Sequence, residues 1–482
     1  MKKTWGIVLT LIVVSSIAAA QKIRPADDPD VASSLNLLES WIEARMEYKN
    51  DPGLAVGIIY DQELIWAKGF GWSDTEKKIA ATPRTIYRIG SITKLFTATA
   101  VMQLRDREKL RLDDPIVKYI PGFEIQSRYP EAPPITVRHL LTHTSGLPRE
   151  AAFPYWTDHI FPSRDEIIEG LRGQETTFPS ETKYKYSNLA LALAGEVVAA
   201  ASGEPYEQFI EKNILEPLGM TDTSVNLTAG RKDRLAAGCS RRLADGKRTV
   251  MPYTDAKGIA PAANMSSTVE DLARFISLQF RNDPPGGPQI LKPSTLREMH
   301  RVHWLLPGWR AGRGLGFSVR RFGDKTLVGH AGWVAGYQTQ IGFVPEDKIG
   351  AVVLTSADDG QPGTILEQAL TVVTPAILRA VRPEAAPGKP DPAWSLYTGK
   401  YTDPTVWESE VLVVEGKLVL YNHNYPPEEN ARGSLIELAP AGKHAFRMTG
   451  ENGDGELVIF EIGTSGKVER VKVGENYIYP KG

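Results

Sequence analysis

At 482 residues the chain is about three times the length of a typical domain, so two or three cores are expected and a small disulfide-stapled scaffold is excluded. Its 42% hydrophobic and 24% charged residues lie near the globular average, which rules out a disordered chain. A formal net charge of −2 offers no basic surface to a phosphate backbone, so nucleic acid is not an expected partner.

Lys2 and Lys3 precede an apolar run over residues 5–14 and the small-residue end Ala18-Ala19-Ala20. This is the order of a secretory signal peptide, residues 1–20, cut before Gln21; the apolar stretch 6–20 is shorter than the roughly 20 residues a spanning helix needs. No later segment reads as long and apolar enough to span a bilayer, so the processed protein is expected to be secreted or periplasmic, without a stable membrane span. Cys239 is the only cysteine, which excludes an internal disulfide and a lipid attached through an N-terminal thiol.

The large region 21–381 begins with Val31, Leu35, Leu38, Trp41 and Ile42 at helical spacing, predicting a helix over 30–48. A hairpin pattern follows, with a β-rich run at 53–60, a turn at Asp61-Gln62 and a return over 63–71. Helical and loop sequence fills most of the stretch to about residue 277. Strand patterns resume at 326–329, 338–344 and 349–355, with Pro345-Glu346-Asp347-Lys348 as the turn between the last two, and 363–380 is again helical. Early and late strands flanking a helical insertion predict an α+β fold, in which one antiparallel sheet is built from both ends of the region and the insertion forms a second lobe. Lobe junctions favour clefts.

Residues 382–393 contain four prolines and read as a stiff extended linker. From 394 to 482, short β-rich runs at 411–414, 418–421, 435–438, 457–462 and 468–473 alternate with turns such as Glu415-Gly416, Asn452-Gly453 and Ser465-Gly466. This spacing predicts a separate all-β unit, a small lipocalin-like barrel or a sandwich.

The strongest chemical candidate is Ser91-Ile92-Thr93-Lys94, between a β-like approach at 85–90 and a helical run at 95–104. Three-residue spacing at a helix start puts hydroxyl and amine on one face, one turn apart. A serine hydroxyl is a weak nucleophile until a base takes its proton, and lysine is such a base only where burial or neighbouring charge lowers its pKa. The helix start also offers free N–H groups to a developing oxyanion. Ser180-Glu181-Thr182-Lys183 repeats the pattern without a following apolar helix and is set aside as a site. Tyr186-Ser187-Asn188 precedes an apolar helix at 189–201, although Tyr48-Lys49-Asn50 has the same spacing; His330-Ala331-Gly332-Trp333 precedes the strand at 338–344. His139 and His143 are four apart, but no glutamate completes a zinc motif, so capping or packing is expected and no metal or other cofactor is called for.

In this order, the three motifs together with Leu140-Leu141-Thr142-His143-Thr144-Ser145-Gly146-Leu147-Pro148 and the segment 336–350 resemble serine hydrolases related to class C β-lactamases and D-alanyl-D-alanine peptidases, over about residues 34–380. The resemblance implies a β-lactamase/transpeptidase-like fold. It also implies Ser91 as the acylated nucleophile, Lys94 as its base, Tyr186 as a proton shuttle, and Asn188 orienting Lys94 and the substrate amide. The N–H groups of Ser91 and Trp333, next to Gly332, would form the oxyanion hole. His330 takes the place of a lysine in true β-lactamases and would hydrogen-bond Tyr186 or a substrate anion. Ala331 stands where relatives usually carry a threonine that binds the substrate carboxylate, which argues against carboxylate-dependent substrates. The expected partner is a small-molecule or peptide substrate, cell-wall peptides included. A non-catalytic penicillin-recognising or wall-binding scaffold is the alternative, and it has no need of Ser91, Lys94 and Tyr186 together.

Overall fold

The strand Gly53–Tyr60 pairs on one side with Glu63–Asp74 and on the other with Ile349–Thr355, in the antiparallel register Leu54↔Thr355 to Tyr60↔Ile349. The computed structural model in which this is seen describes residues 24–281, 287–381, 391–404, 408–414, 417–422, 435–450 and 453–481. The chain divides into two units between Val381 and Arg382. The segment read as a signal, 1–20, lies outside the described residues, as do most of the proline-rich stretch and the Glu415-Gly416 turn. The described end of that stretch is not extended: Pro392–Leu396 is a 3-10 turn, started by a proline and capped by Asp391, whose side chain accepts from the Ala393 N–H.

Among the described residues, nine strands form the first unit's sheet. In spatial order they are Ile79–Ala80, Glu63–Asp74, Gly53–Tyr60, Ile349–Thr355, Tyr337–Val344, Lys325–Val334, Ser318–Phe322, Ala311–Arg313 and Trp304–Leu305. Gly53–Tyr60 and Ile349–Thr355 are almost wholly apolar rather than alternating because both their faces are covered. Leu54, Val56 and Ile58 join a core with residues of the helices Pro29–Lys49 and Pro362–Val381. Ala55 and Ile59 join the opposite core with Leu272, Phe275 and Ile276 of the helix Val269–Gln279. Phe275 in turn stacks on Phe96 at 4.3 Å, tying that face to the helix Thr93–Asp106. The last three strands are short: Ser318–Phe322 pairs with the edge of Lys325–Val334, Ala311–Arg313 pairs with Ser318–Phe322, and Trp304–Leu305 pairs with Ala311–Arg313.

Contrary to the expectation that no segment after the signal is long and apolar enough to span a bilayer, Pro362–Val381 is 20 residues long with a mean hydropathy of 1.3, so by length and composition it is apolar enough to cross a membrane. In this fold Ile365, Leu366, Ala369, Leu370, Val373, Ala376 and Ile377 recur at helical spacing and are buried in the core beneath the sheet.

The described residues of the second unit form eight antiparallel strands, and Gly399–Thr402 pairs with both Glu408–Val414 and Asn476–Pro480, so the sheet closes on itself as a barrel and not a sandwich. Tyr397, Tyr401, Phe446 and Phe460 fill its interior, with Tyr397 and Phe460 4.5 Å apart between ring centres. Gly399–Thr402, Ala445–Thr449 and Asn476–Pro480 are strands beyond the five β-rich runs, each pairing with its neighbours in the barrel.

Leu370→Ala is expected to lower the unfolding free energy by about 2–5 kcal/mol through lost burial and the cavity left behind. A shift of the denaturant midpoint measures it, and an unchanged midpoint would contradict the seating of this helix on the sheet.

Candidate active site

Ser91 sits at the point where a strand is forced to become a helix. Tyr87–Arg88 pairs with Ser266–Ser267, and the Ile89 N–H donates to the Met265 carbonyl at 2.9 Å. Gly90 then turns the chain with φ +50° into the 3-10 turn Gly90–Ile92, which leads into Thr93–Asp106. A Cβ at Gly90 would lie 2.7 Å from the Trp333 nitrogen and oxygen, and one at Gly332 would lie 2.0 Å from the Ile89 oxygen, so glycine is required at both positions for the two backbones to meet. Thr339 Oγ1 donates to the Ile89 carbonyl at 3.0 Å, and Thr93 Oγ1 to the Gly90 carbonyl at 2.6 Å, holding the turn. The partner strand Ser318–Phe322 stops at Gly329, which leaves the end of Lys325–Val334 as an open edge. Ser91, Tyr186, Asn188, His330, Ala331, Gly332 and Trp333 consequently line one cleft of about 720 Å³.

Lys94 lies beneath this cleft with no exposed surface. Its Nζ is 3.0 Å from Ser91 Oγ, 2.8 Å from Asn188 Oδ1 and 2.8 Å from the Ala262 carbonyl oxygen. Burial lowers its pKa to about 7, with Glu150 opposing and Arg149 assisting the shift. As a neutral amine it has two protons for the two carbonyl acceptors and one lone pair, and the remaining direction is Ser91 Oγ.

Tyr186 Oη donates to Ser91 Oγ at 2.8 Å, and burial pushes its pKa up to about 12, so it is a protonated phenol at neutral pH. Ser187 caps the helix Asn188–Ser202, its Oγ accepting from the Ala190 N–H at 2.9 Å. This capping fixes the direction in which Tyr186 and Asn188 leave the backbone.

The capping or packing role expected of His143 is found, and it is played against Tyr186 and Ser187. It ends the helix Val137–Thr142 in a left-handed conformation, accepts the Ser187 N–H on Nδ1 at 3.1 Å and stacks on the Tyr186 ring at 4.5 Å. Burial holds its pKa well below the usual value, so the imidazole is neutral. His139 closes a capping box with Thr136, and among the described residues no cluster of His, Cys, Asp or Glu is arranged to hold a metal.

Glu150 also escaped the sequence reading. Asn188 Nδ2 donates to its two oxygens at 2.8 and 3.0 Å, Tyr155 Oη donates to Oε2, and Arg149 Nε lies 3.2 Å from Oε1. Its place two residues beyond the segment 140–148 is the signal the chain offers.

The expected hydrogen bond from His330 to Tyr186 is not formed. His330 Nδ1 lies 2.6 Å from the Ala331 carbonyl, and its ring packs at a tilt 6.4 Å from Tyr186. Burial lowers its pKa to about 3, so it brings no positive charge to the position. The Ala331 methyl is exposed in the cleft. Trp333 Nε1 donates to Asp358 Oδ1 at 3.1 Å, and its ring lies 5.8 Å from that of Trp156. Ser180 is far from this arrangement: its Oγ donates to the Pro133 carbonyl at 2.6 Å, and Lys183 lies over the Phe178 ring.

Residues 38–373 match the family described as Beta-lactamase. The chain belongs to the β-lactamase family. It is 30% identical over 358 residues to Beta-lactamase-like protein 2 of Dictyostelium discoideum, covering 72% of this chain and 64% of that protein. Protein flp of Staphylococcus aureus is 25% identical, covering 70% of this chain and 66% of the relative, so the chain spans just under two thirds of these two proteins. The D-alanyl-D-alanine-carboxypeptidase/endopeptidase AmpH of Escherichia coli is 27% identical over 72% of this chain and 89% of its own length. Among solved structures, the octameric penicillin-binding protein homologue from Pyrococcus abyssi matches with a TM-score of 0.63 and 28% identity over 93% of this chain and all of its own. This β-lactamase-family protein therefore has the β-lactamase/transpeptidase-like fold with a C-terminal closed barrel.

Gly90→Ala is expected to cost about 2 kcal/mol or more, because it combines a left-handed backbone with a backbone clash at Trp333. Thermal unfolding reads the loss; a melting temperature equal to that of the unaltered protein would mean that the turn tolerates a side chain.

Proposed function

We propose that this protein is a serine hydrolase that opens an amide or ester through an acyl-enzyme on Ser91. The observation that carries the reading is a single oxygen, Ser91 Oγ, hydrogen-bonded both to a buried lysine near pKa 7 and to a protonated phenol. Neutral Lys94 takes the Ser91 proton as Oγ attacks the substrate carbonyl carbon. When the tetrahedral centre collapses, the leaving nitrogen or oxygen takes a proton from Tyr186 Oη, and the Lys94 ammonium returns one to Tyr186. The products are an ester on Ser91 and a protonated leaving group. Water then repeats the sequence in reverse and releases the acid. The backbone N–H groups of Ser91 and Trp333 face the developing oxyanion in this scheme, and losing one such donor typically costs about 10²–10³ in rate.

The substrate classes that fit are a D-amino-acid peptide of cell-wall type, a short ester and, weakly, a β-lactam. AmpH, matched over 89% of its own length, is named as a D-alanyl-D-alanine-carboxypeptidase/endopeptidase, which supports the first. Ala331 and neutral His330 leave residues 330 and 331 without a hydroxyl or a cation for a substrate carboxylate, which argues against efficient turnover of substrates held by that group, β-lactams and peptides with a free C-terminal D-amino acid alike. Export is part of the same reading and rests on the residue order from Lys2 to Ala20.

Ser91→Ala is expected to abolish covalent labelling by a fluorophosphonate, detected by intact mass, while Ser180→Ala keeps most of it. An adduct forming at the normal rate on Ser91→Ala would remove Ser91 from the mechanism. Because the base works only when unprotonated and burial lowers its folded pKa, kcat/KM is expected to rise with pH through about 7 and to fall about tenfold per unit below it. A flat profile through neutrality would exclude Lys94 as the base. Nitrocefin hydrolysis is expected to be slow beside p-nitrophenyl ester cleavage, and Ala331→Thr to raise activity on carboxylate-bearing substrates by about 10–100-fold, the worth of one bond to a charged group. Fast nitrocefin turnover by the unaltered protein would contradict this.

A further inference from the structure

An asparagine side chain can present either its oxygen or its nitrogen in a given direction, and the two choices have opposite consequences for a neighbouring amine. With Oδ1 toward Lys94 Nζ, as here at 2.8 Å, the amide accepts a Lys94 proton and leaves the amine lone pair free. With Nδ2 in that place, the amide would donate to the lone pair and direct it away from Ser91. The backbone does not make the choice, because Asn188 occupies the first helical position after the Ser187 cap in either case. Its other end does: Nδ2 faces both oxygens of Glu150 at 2.8 and 3.0 Å, and an ionised carboxylate only accepts. Tyr155 Oη and Arg149 hold that carboxylate from the other side. Its acceptor capacity is therefore engaged within the protein, which argues against a role in binding a substrate ammonium.

Resting on the hydrolase reading above, we propose that Glu150 is a positioning residue that locks the orientation of the Asn188 amide and so aims the Lys94 lone pair at Ser91 Oγ. The charged and titratable groups around Lys94 leave Glu150 in a distinct role. His143 and His330 are neutral by burial, Tyr186 is a protonated phenol, and Arg149 is paired with Glu150 itself. Glu150 is the carboxylate whose charge favours the protonated form of Lys94. Its removal therefore acts twice in one direction: it withdraws a negative charge, and it permits the inverted amide to donate to the amine. Both favour neutral Lys94, and the second leaves it misdirected.

The test is the rate of Ser91 acylation by a fluorophosphonate, followed by intact mass across the neutral pH range on the full-length protein. Glu150→Gln is expected to lower the plateau rate about tenfold or more. Its acid limb is expected to move down by roughly one pH unit. Glu150→Asp keeps the charge and the acceptor and is expected to leave the acid limb where it was. The pair Glu150→Gln with Asn188→Asp restores a donor facing an acceptor and brings the negative charge next to Lys94. It is expected to recover severalfold in rate over Glu150→Gln with an acid limb above that of the unaltered protein, and it carries the test if the single variant does not fold. A lowered plateau with an unmoved or raised acid limb in Glu150→Gln is the signature of simple loosening and overturns the proposal, as does an unchanged plateau. Failure of the unaltered protein to label at Ser91 would instead overturn the hydrolase reading.

Discussion

The buried amine of Lys94 is the constraint on which the rest of the site depends. An ammonium without access to water loses several kcal/mol of solvation, and a lysine stays in such a place only if its protons find acceptors or it gives one up. Here three acceptors surround it, each from a different part of the chain: Ser91 in the turn before its own helix, Asn188 at the start of a second helix, and the carbonyl of Ala262 in the short helix Ala260–Ala263. None of the three segments can shift without leaving a polar group unpaired. The same burial that makes the arrangement demanding lowers the pKa of Lys94 to about 7, which converts an ordinary cation into a base at neutral pH.

A second consequence follows for the surrounding electrostatics. A base poised near neutrality is easily disturbed by further charge, and the groups closest to it are kept uncharged: His143 and His330 by burial, Tyr186 as a phenol. The charges that do line the cleft are balanced or held apart. Arg149 is paired with Glu150, and Arg313 bonds Ser318 and lies over the Tyr184 ring at 4.6 Å. The cleft of this β-lactamase-family protein therefore holds no lysine at position 330 and no threonine at position 331, while Ser91, Lys94, Tyr186 and Asn188 lie within hydrogen-bond reach of one another.

The sheet explains how this precision is reached. Its strands come from both ends of the first unit, so the turn at Gly90 and the edge at Gly332 are brought together by pairings between residues far apart in sequence. Their contact is backbone against backbone, which permits little adjustment and places the Trp333 nitrogen beside the Ser91 turn. The barrel after residue 391 has its own aromatic interior and closes through its own first and last strands.

Local pattern sufficed wherever a residue's role follows from its neighbours in the chain. The helix 30–48, the hairpin at 53–60 and the strands 338–344 and 349–355 were legible because helical and extended spacing of apolar residues is a property of short windows, and all lie within a few residues of the observed elements. The spacing of Ser91 and Lys94 and the capped helix after Tyr186 were legible for the same reason. What no window contains is the environment. Burial decided that Lys94 is near pKa 7 and that His330 is uncharged. Glu150 meets Asn188 across 38 residues, and His143 stacks on Tyr186 across a similar interval. An acid or an imidazole has no recognisable role in sequence until packing assigns it a partner, because its charge and hydrogen bonding are set by what surrounds it and not by what precedes it in the chain.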